Sequence, residues 1–256
     1  NNKRNLKSWL KEVSMEKAKR YCKGLLTKRK REKGIKYTPT EVELRTLLVP
    51  PIHYYQVIFG DYYKLCEEIG FENKLSYVQA SKIESLGLKE EFDEDHVIYV
   101  DSREQNPLQI KDFPTEVKGL KFGDYCLNDR KKTGNCYIER KSVPDLIGTL
   151  SSGLERFEKE IERAAEENAY LVILVERKLE ECLAFNKLPY VYKKNTRVTP
   201  DFIFHNVRGL LQKFPHIQFL FVNGRKECVR IVKKLLLTKI LRTKFDLQLA
   251  YDLNLL

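Results

Sequence analysis

The sequence predicts a small all-helical region followed by an α/β sheet domain with helices on both faces. Three observations predict it. Residues 1–75 carry helical apolar spacing, helix-capping residues and no strand-like alternation. From His96 onward, short β-rich runs alternate with longer helical stretches, the pattern of a sheet with helical connections. Between the two lies an acidic cluster of Glu90, Glu91, Asp93, Glu94 and Asp95, which marks a boundary. The expected organisation is a basic helical domain over 1–75, a connecting helix and acidic linker over 76–95, and a second domain over 96–256.

In the first region, residues 5–33 read as helix, rich in Lys, Arg and Leu, with Gly24 and Gly34 expected to break it into pieces. Thr40 and Glu43 have capping-box spacing and start the next helix, which Pro50-Pro51 ends. A short helix follows through Tyr54 and Tyr55. Another begins at Asp61, its expected N-cap, and runs to Gly70. Tyr54, Tyr55, Tyr62 and Tyr63 are placed in the core in preference to stacking on bases. In the second region, strands are expected at 97–100, 125–127, 136–139, 171–175 and 216–222. Helices are expected at 143–150, 154–168, 201–214 and 225–237, and a polar turn at 128–134.

Composition narrows the function classes. The 256 residues are 42% hydrophobic and 32% charged, a balance typical of a folded chain. No run approaches the ~20 apolar residues of a membrane span. No apolar leader is visible at the start, so a cytoplasmic, nucleoid or nuclear setting is expected, and not secretion. The six cysteines form no C-x-x-C pair, and the four histidines have no zinc-site spacing. The net charge is +11, and it is uneven: residues 1–90 hold 19 Lys and Arg against 11 Asp and Glu, while residues 91–256 hold 28 against 25. A local basic excess is the footprint of nucleic-acid contact. Lys28, Arg29, Lys30 and Arg31 are its densest part and the expected DNA contacts.

The chemistry concentrates in the middle third. Asp101-Ser102-Arg103-Glu104 follows a buried strand, Gly123-Asp124-Tyr125 opens a hairpin, and Glu139-Arg140-Lys141 ends its second strand. Residues two apart on a strand share a face, so Glu139 and Lys141 point together and Arg140 points away. Asp124 on the partner strand can lie beside Glu139. Two neighbouring carboxylates repel unless a cation joins them, and Mg²⁺ or Mn²⁺ suits oxygen ligands that leave room for water. Lys141 is then placed to orient a water or stabilise charge on a phosphate. The triplet recurs at Glu176-Arg177-Lys178, but without an upstream Gly-Asp-Tyr or a matching Asp; it reads as a strand end leading into helix.

Taken together, Val100 to Glu104, Gly123 to Tyr125 and Ile138-Glu139-Arg140-Lys141-Ser142-Val143-Pro144-Asp145-Leu146 resemble the XPF nuclease domain, whose signature is Glu-Arg-Lys, three residues, Asp. Arg156-Phe157 resembles that family's Gly-Arg-aromatic helix, and Phe214 to Lys234 its last strand and helix. The likeness covers about residues 96–240. It implies a restriction-endonuclease-like mixed sheet of the PD-(D/E)XK type and a divalent-metal endonuclease acting on branched or flap-containing DNA. It implies Asp101, Asp124 and Glu139 as metal ligands and Lys141 as the catalytic lysine. Glu104 completes the acidic pocket, Arg103 and Arg140 hold phosphates or carboxylates, Asp145 pairs with a basic side chain, and Arg156 contacts DNA. A homodimer or heterodimer through the nuclease domain is a further implication, encouraged by the apolar segment Leu247–Leu256.

Two departures stand out. Glu160 occupies a place where the family often has Gln, and no tandem helix-hairpin-helix module follows in this sequence. Residues 17–71, especially Phe59-Gly60-Asp61-Tyr62-Tyr63 through Gly70-Phe71, resemble the homing-endonuclease-associated repeat, which implies DNA contact. Two alternatives therefore accompany the structure-specific nuclease: a sequence-biased homing-like endonuclease, and a non-catalytic DNA-binding scaffold on a nuclease fold.

Overall fold

The computed structural model describes residues 6–75, 95–128, 133–192, 198–238 and 245–256. The chain divides into two compact units, Asn1–Tyr77 and Val78–Leu256. The expected connecting helix at 76–90, the acidic residues 90–94 and the turn residues 129–132 lie outside the described residues.

The first unit holds α1 (Leu6–Glu12), α2 (Met15–Lys33), α3 (Glu41–Thr46), α4 (Ile52–Phe59) and α5 (Tyr62–Ile69). The expected interruption at Gly24 does not occur; the break lies at Val13–Ser14, where Ser14 caps α2 by accepting from Lys17 N–H. A helix-interior glycine costs only about 1 kcal/mol, and burial of Ala18, Cys22 and Leu26 on one side of α2 outweighs it. Gly34, at φ +59°, ends the helix as expected. The Thr40–Glu43 capping box forms in both directions, and Asp61 caps α5. Tyr55, Tyr62 and Tyr63 are core residues, and the Tyr62 hydroxyl donates to Pro39 O at 2.7 Å.

The second unit is built on one six-stranded sheet. Its strands are β1 (Val97–Asp101), β2 (Thr115–Lys118), β3 (Tyr125–Asn128), β4 (Thr133–Lys141), β5 (Tyr170–Val175) and β6 (Ile217–Phe221), in the order β2-β1-β3-β4-β5-β6. β1, β3 and β4 pair antiparallel, while β2 beside β1 and β5 and β6 beyond β4 run parallel. This is the mixed sheet expected. The helices are α6 (Val143–Thr149), α7 (Leu154–Glu166), α8 (Leu179–Cys182), α9 (Pro189–Tyr192), α10 (Pro200–Lys213), α11 (Arg225–Leu237) and α12 (Leu247–Asp252).

Strand alternation assigns the two faces. Ile98, Val100, Ile138, Val172, Leu174 and Leu220 share one core cluster with α11 and α12. Phe221 points the other way and meets Phe204 of α10 at 5.9 Å. Both faces are thus covered by helices, and β5, apolar throughout, is buried at every position. β2, α9 and α12 were not anticipated. β2 is exposed along its whole length, so its sequence carries no buried-face alternation. α12 is short, and the apolar residues credited to dimer formation, Leu247, Leu249, Ala250 and Leu256, are buried within the chain itself. That segment therefore gives no reason to expect a dimer. No helix among the described residues is long and apolar enough to cross a membrane, and all six cysteines are buried and form no disulfide.

Gly123 fixes the approach to the hairpin. It sits at φ +57°, and a Cβ there would lie 2.9 Å from Ile138 O. Gly123→Ala should therefore destabilise the chain by about 2–4 kcal/mol, from left-handed backbone strain plus overpacking. An unchanged urea midpoint for the intact chain would contradict this.

Candidate active site

The site grows from the carboxyl ends of β1 and β4 and from the turn entering β3. Asp124 is tied to both neighbouring strands by its own backbone: its N–H donates to Ile138 O, and its carbonyl accepts from Asp101 N–H, each at 2.8 Å. Its Oδ2 accepts from Arg140 N–H at 2.7 Å. The register thus sets Asp124 against the last turn of β4 before any side-chain preference enters.

β4 then splits its charges between the two faces of the sheet. Glu139 and Lys141 share one face, with Lys141 Nζ donating to Glu139 Oε1 at 2.8 Å. The same Nζ lies 5.1 Å from the ring centroid of Phe157 on α7, in cation–π contact, and Lys141 is only 7% exposed. Arg140 has the parity of Ile138 and belongs to the other face. Its Nη2 donates to both oxygens of Glu104 at 3.0 Å, its Nε reaches Glu104 Oε2 at 3.2 Å, and its Nη1 donates to Glu176 Oε2 at 2.9 Å. Burial works against the Arg140 charge, and Glu104 and Glu176 more than offset it, holding the guanidinium above its ordinary pKa. Asn106 N–H closes on Glu104 Oε1 at 2.8 Å, and Arg225 donates to Asn106 O and Pro107 O. The result is a loop, two strands and a helix start joined by one partly buried ionic network.

Asp124 and Glu139 form the strained pair. Burial first, and the Glu139 charge second, push the Asp124 carboxyl up to about 7. Glu160 on α7 is raised by the same two causes. Asp124 and Glu139 each have one oxygen engaged by a protein donor and a second oxygen with no donor among the described residues. Two carboxylates of this kind suit Mg²⁺ or Mn²⁺, which need one or two such ligands and otherwise take water and substrate oxygens.

An open cleft brings together Asp124, Glu139, Lys141, Glu104, Arg103 and Arg156, and Arg140 and Asp145 also line it. Asp101 does not. It is 3% exposed, its Oδ2 accepts from Arg103 Nε at 2.7 Å, and its Oδ1 accepts from Leu120 N–H at 2.9 Å. Asp101, expected as a metal ligand, instead has a donor on each oxygen and holds the turn beyond β2. Among the described residues no group of three or more His, Cys, Asp or Glu is arranged as a metal site. Asp145 is also corrected: its carboxylate pairs with the Ser142 hydroxyl at the start of α6 and not with a basic side chain. Arg103 and Arg140 hold carboxylates. Glu176 and Arg225 were missed. Glu176 stands just after β5, as expected of the second Glu-Arg-Lys triplet, yet its carboxylate is the second partner of Arg140.

In the first unit the four expected DNA contacts separate. Lys28 and Arg31 are exposed on α2, whereas Lys30 lies over the Phe71 ring at 5.1 Å and Arg29 Nε is buried without a hydrogen-bond partner.

Comparison with known proteins follows the same lines. The family model of the ERCC4 domain matches residues 100–235. No curated protein matches the chain. Among solved structures it is similar to XPF from Aeropyrum pernix, at 22% identity over 54% of this chain and 64% of that one, with a TM-score of 0.39. It is similar also to the same protein in complex with DNA, with equal identity and coverage and a TM-score of 0.36. The chain therefore spans under two thirds of the length of the structures it matches.

The raised Asp124 carboxyl gives a signed pH prediction. Without metal, the folded chain retains a proton that the unfolded chain, with an ordinary Asp at 3.8, has already released. Stability contributed by this group is therefore full below pH 3.8 and falls as pH rises toward 7. Urea midpoints in EDTA across that range should fall less in Asp124→Asn than in the parent. Parallel curves for the two would refute the assignment.

Proposed function

The chain belongs to the ERCC4 domain family, and on that premise we propose that it is a divalent-metal-dependent DNA endonuclease hydrolysing phosphodiester bonds, with branched or flap-containing DNA as substrate. The single observation that carries the reading is the Asp124–Glu139 pair with Lys141 Nζ 2.8 Å from Glu139 Oε1, at the mouth of a polar cleft. A buried carboxylate pair is costly to the fold, and such cost concentrates at working sites.

Each residue has a part in hydrolysis. Asp124 and Glu139 would hold Mg²⁺ or Mn²⁺. When bound, the ion lowers the pKa of a water and neutralises charge on the scissile phosphate. Lys141, held by Glu139 and Phe157, presents its ammonium to the same place, where it orients the attacking water and stabilises the pentavalent phosphorus. Arg156 is exposed on the cleft wall and free to meet a neighbouring phosphate. Arg140 does not touch substrate in this scheme. It positions β4 from the opposite face, and Glu104, its partner, is likewise committed to holding it.

The test uses labelled flap, fork and duplex DNA with Mg²⁺, Mn²⁺ or EDTA. The intact chain should nick the branched substrates in metal and not in EDTA. Asp124→Asn should lower the rate by about 100-fold or more, and so should Lys141→Met, which keeps the stem over Phe157. Binding to all three DNAs without cleavage in any metal would instead favour the scaffold. Equal cutting of flap and plain duplex would remove the structure preference.

A further inference from the structure

We propose that the outward face of α2, formed by Arg20, Lys23, Gly24, Lys28 and Arg31, is a track for the phosphate backbone of duplex DNA. The choice of DNA rests on the nuclease reading; the track itself rests on the first unit alone.

Helical geometry sorts the residues of α2. At about 100° per residue, Ala18, Cys22 and Leu26 fall on one side, and all three are buried. Arg20, Lys23, Gly24, Thr27, Lys28 and Arg31 fall on the opposite side and together line a shallow open groove. Arg20, Lys23, Lys28 and Arg31 are all exposed.

Three of the four charges on this face, those of Arg20, Lys23 and Arg31, lack the partners that other cations of the unit have. Lys19 meets Glu16, Lys36 meets Glu72, and Lys30 covers Phe71. Among the described residues one acid, Glu32, borders the groove, and it pairs with Lys28 at 3.9 Å, so Lys28 is the partnered cation of the four. Arg20, Lys23 and Arg31 make no ion pair among the described residues. Cations three and four apart on a helix repel, so the face is destabilising until a polyanion covers it.

Gly24 gives the face its shape. It lies in the middle of the groove, where an added Cβ would meet nothing within 4 Å. A glycine there lowers helix propensity and satisfies no local steric demand. It does leave the helix backbone open to close approach between flanking cations. From Arg20 to Arg31 the helix advances about 16 Å, a length over which one strand of a duplex presents about five phosphates. Four cations spread over that length suit contacts to successive phosphates, which position a duplex and add affinity without reading its sequence.

The experiment is a salt titration of binding, by fluorescence anisotropy, of the full chain to a short duplex DNA in EDTA. The variant R20Q/K23Q/K28Q/R31Q should lower the slope of log affinity against log salt by about 3 to 4, near 0.9 per lost phosphate contact. The control K19Q/R29Q/K30Q/K33Q removes four charges from the same helix but from its other sides, and should lower the slope by less than about 1. Gly24→Leu should weaken binding several-fold without lowering the melting temperature. Equal slopes for the two quadruple variants, or unaltered binding by Gly24→Leu, would overturn the proposal. Tighter binding to duplex RNA than to DNA would overturn the assignment to DNA. Cleavage assayed separately on the same proteins keeps the two readings apart. A stripe variant that loses its salt slope in a chain that never cuts upholds the track and removes the nuclease. An unchanged slope in a chain that cuts does the reverse.

Discussion

A buried arginine between two carboxylates is the constraint on which the cleft depends. Arg140 is fixed by Glu104 and Glu176, and those two acids come from the loop after β1 and the end of β5. β4 cannot slide or rotate without breaking one of these ion pairs. Removing Arg140 would leave Glu104 with the Asn106 N–H and Glu176 with Arg225, so the cost stays below the ~3–5 kcal/mol of a fully buried pair. Since strand residues alternate, locking Arg140 on one face also locks Glu139 and Lys141 on the other. The backbone N–H of the same residue holds Asp124. One residue therefore sets the position of all three groups assigned to the chemistry, while itself standing outside it.

Two kinds of charge pairing coexist in the second unit, and they differ in purpose. Around Arg140 two carboxylates and two guanidiniums meet in a densely hydrogen-bonded network at the border of the cleft. Around Asp124 and Glu139 there is one ammonium for two carboxylates, with Glu160 adding a third negative charge nearby. The fold thus spends rigidity on one side of the sheet and leaves an unbalanced acidic pair on the other. A cation is the simplest group that completes it.

Much of this was legible in the sequence, and the failures have physical causes. Glu139 and Lys141 were readable because a two-residue strand period needs no tertiary knowledge. Asp124 was readable because the glycine before it marks a turn. Asp101 was misplaced because sequence order does not reveal that Arg103 and the Leu120 N–H take both of its oxygens. Glu176 was set aside as a second copy of the triplet. Its use depends on the parallel register of β4 and β5, in which Lys141 stands opposite Val175 and brings Glu176 alongside. β2 escaped notice because a wholly exposed edge strand has no burial pattern to read. Gly24 was expected to break α2, yet the buried residues flanking it hold the helix through.

The central claim is that Asp124 and Glu139 form a divalent-cation site in the folded chain before any nucleic acid binds. Titrating Mn²⁺ into the metal-free protein, with free ion followed by electron paramagnetic resonance, tests it most directly. The account predicts saturable binding at one class of site, weakened by about 10-fold or more in Glu139→Gln, as expected for loss of a charged ligand. Binding of equal strength in the parent and in Glu139→Gln, or no saturable binding at all, would contradict it.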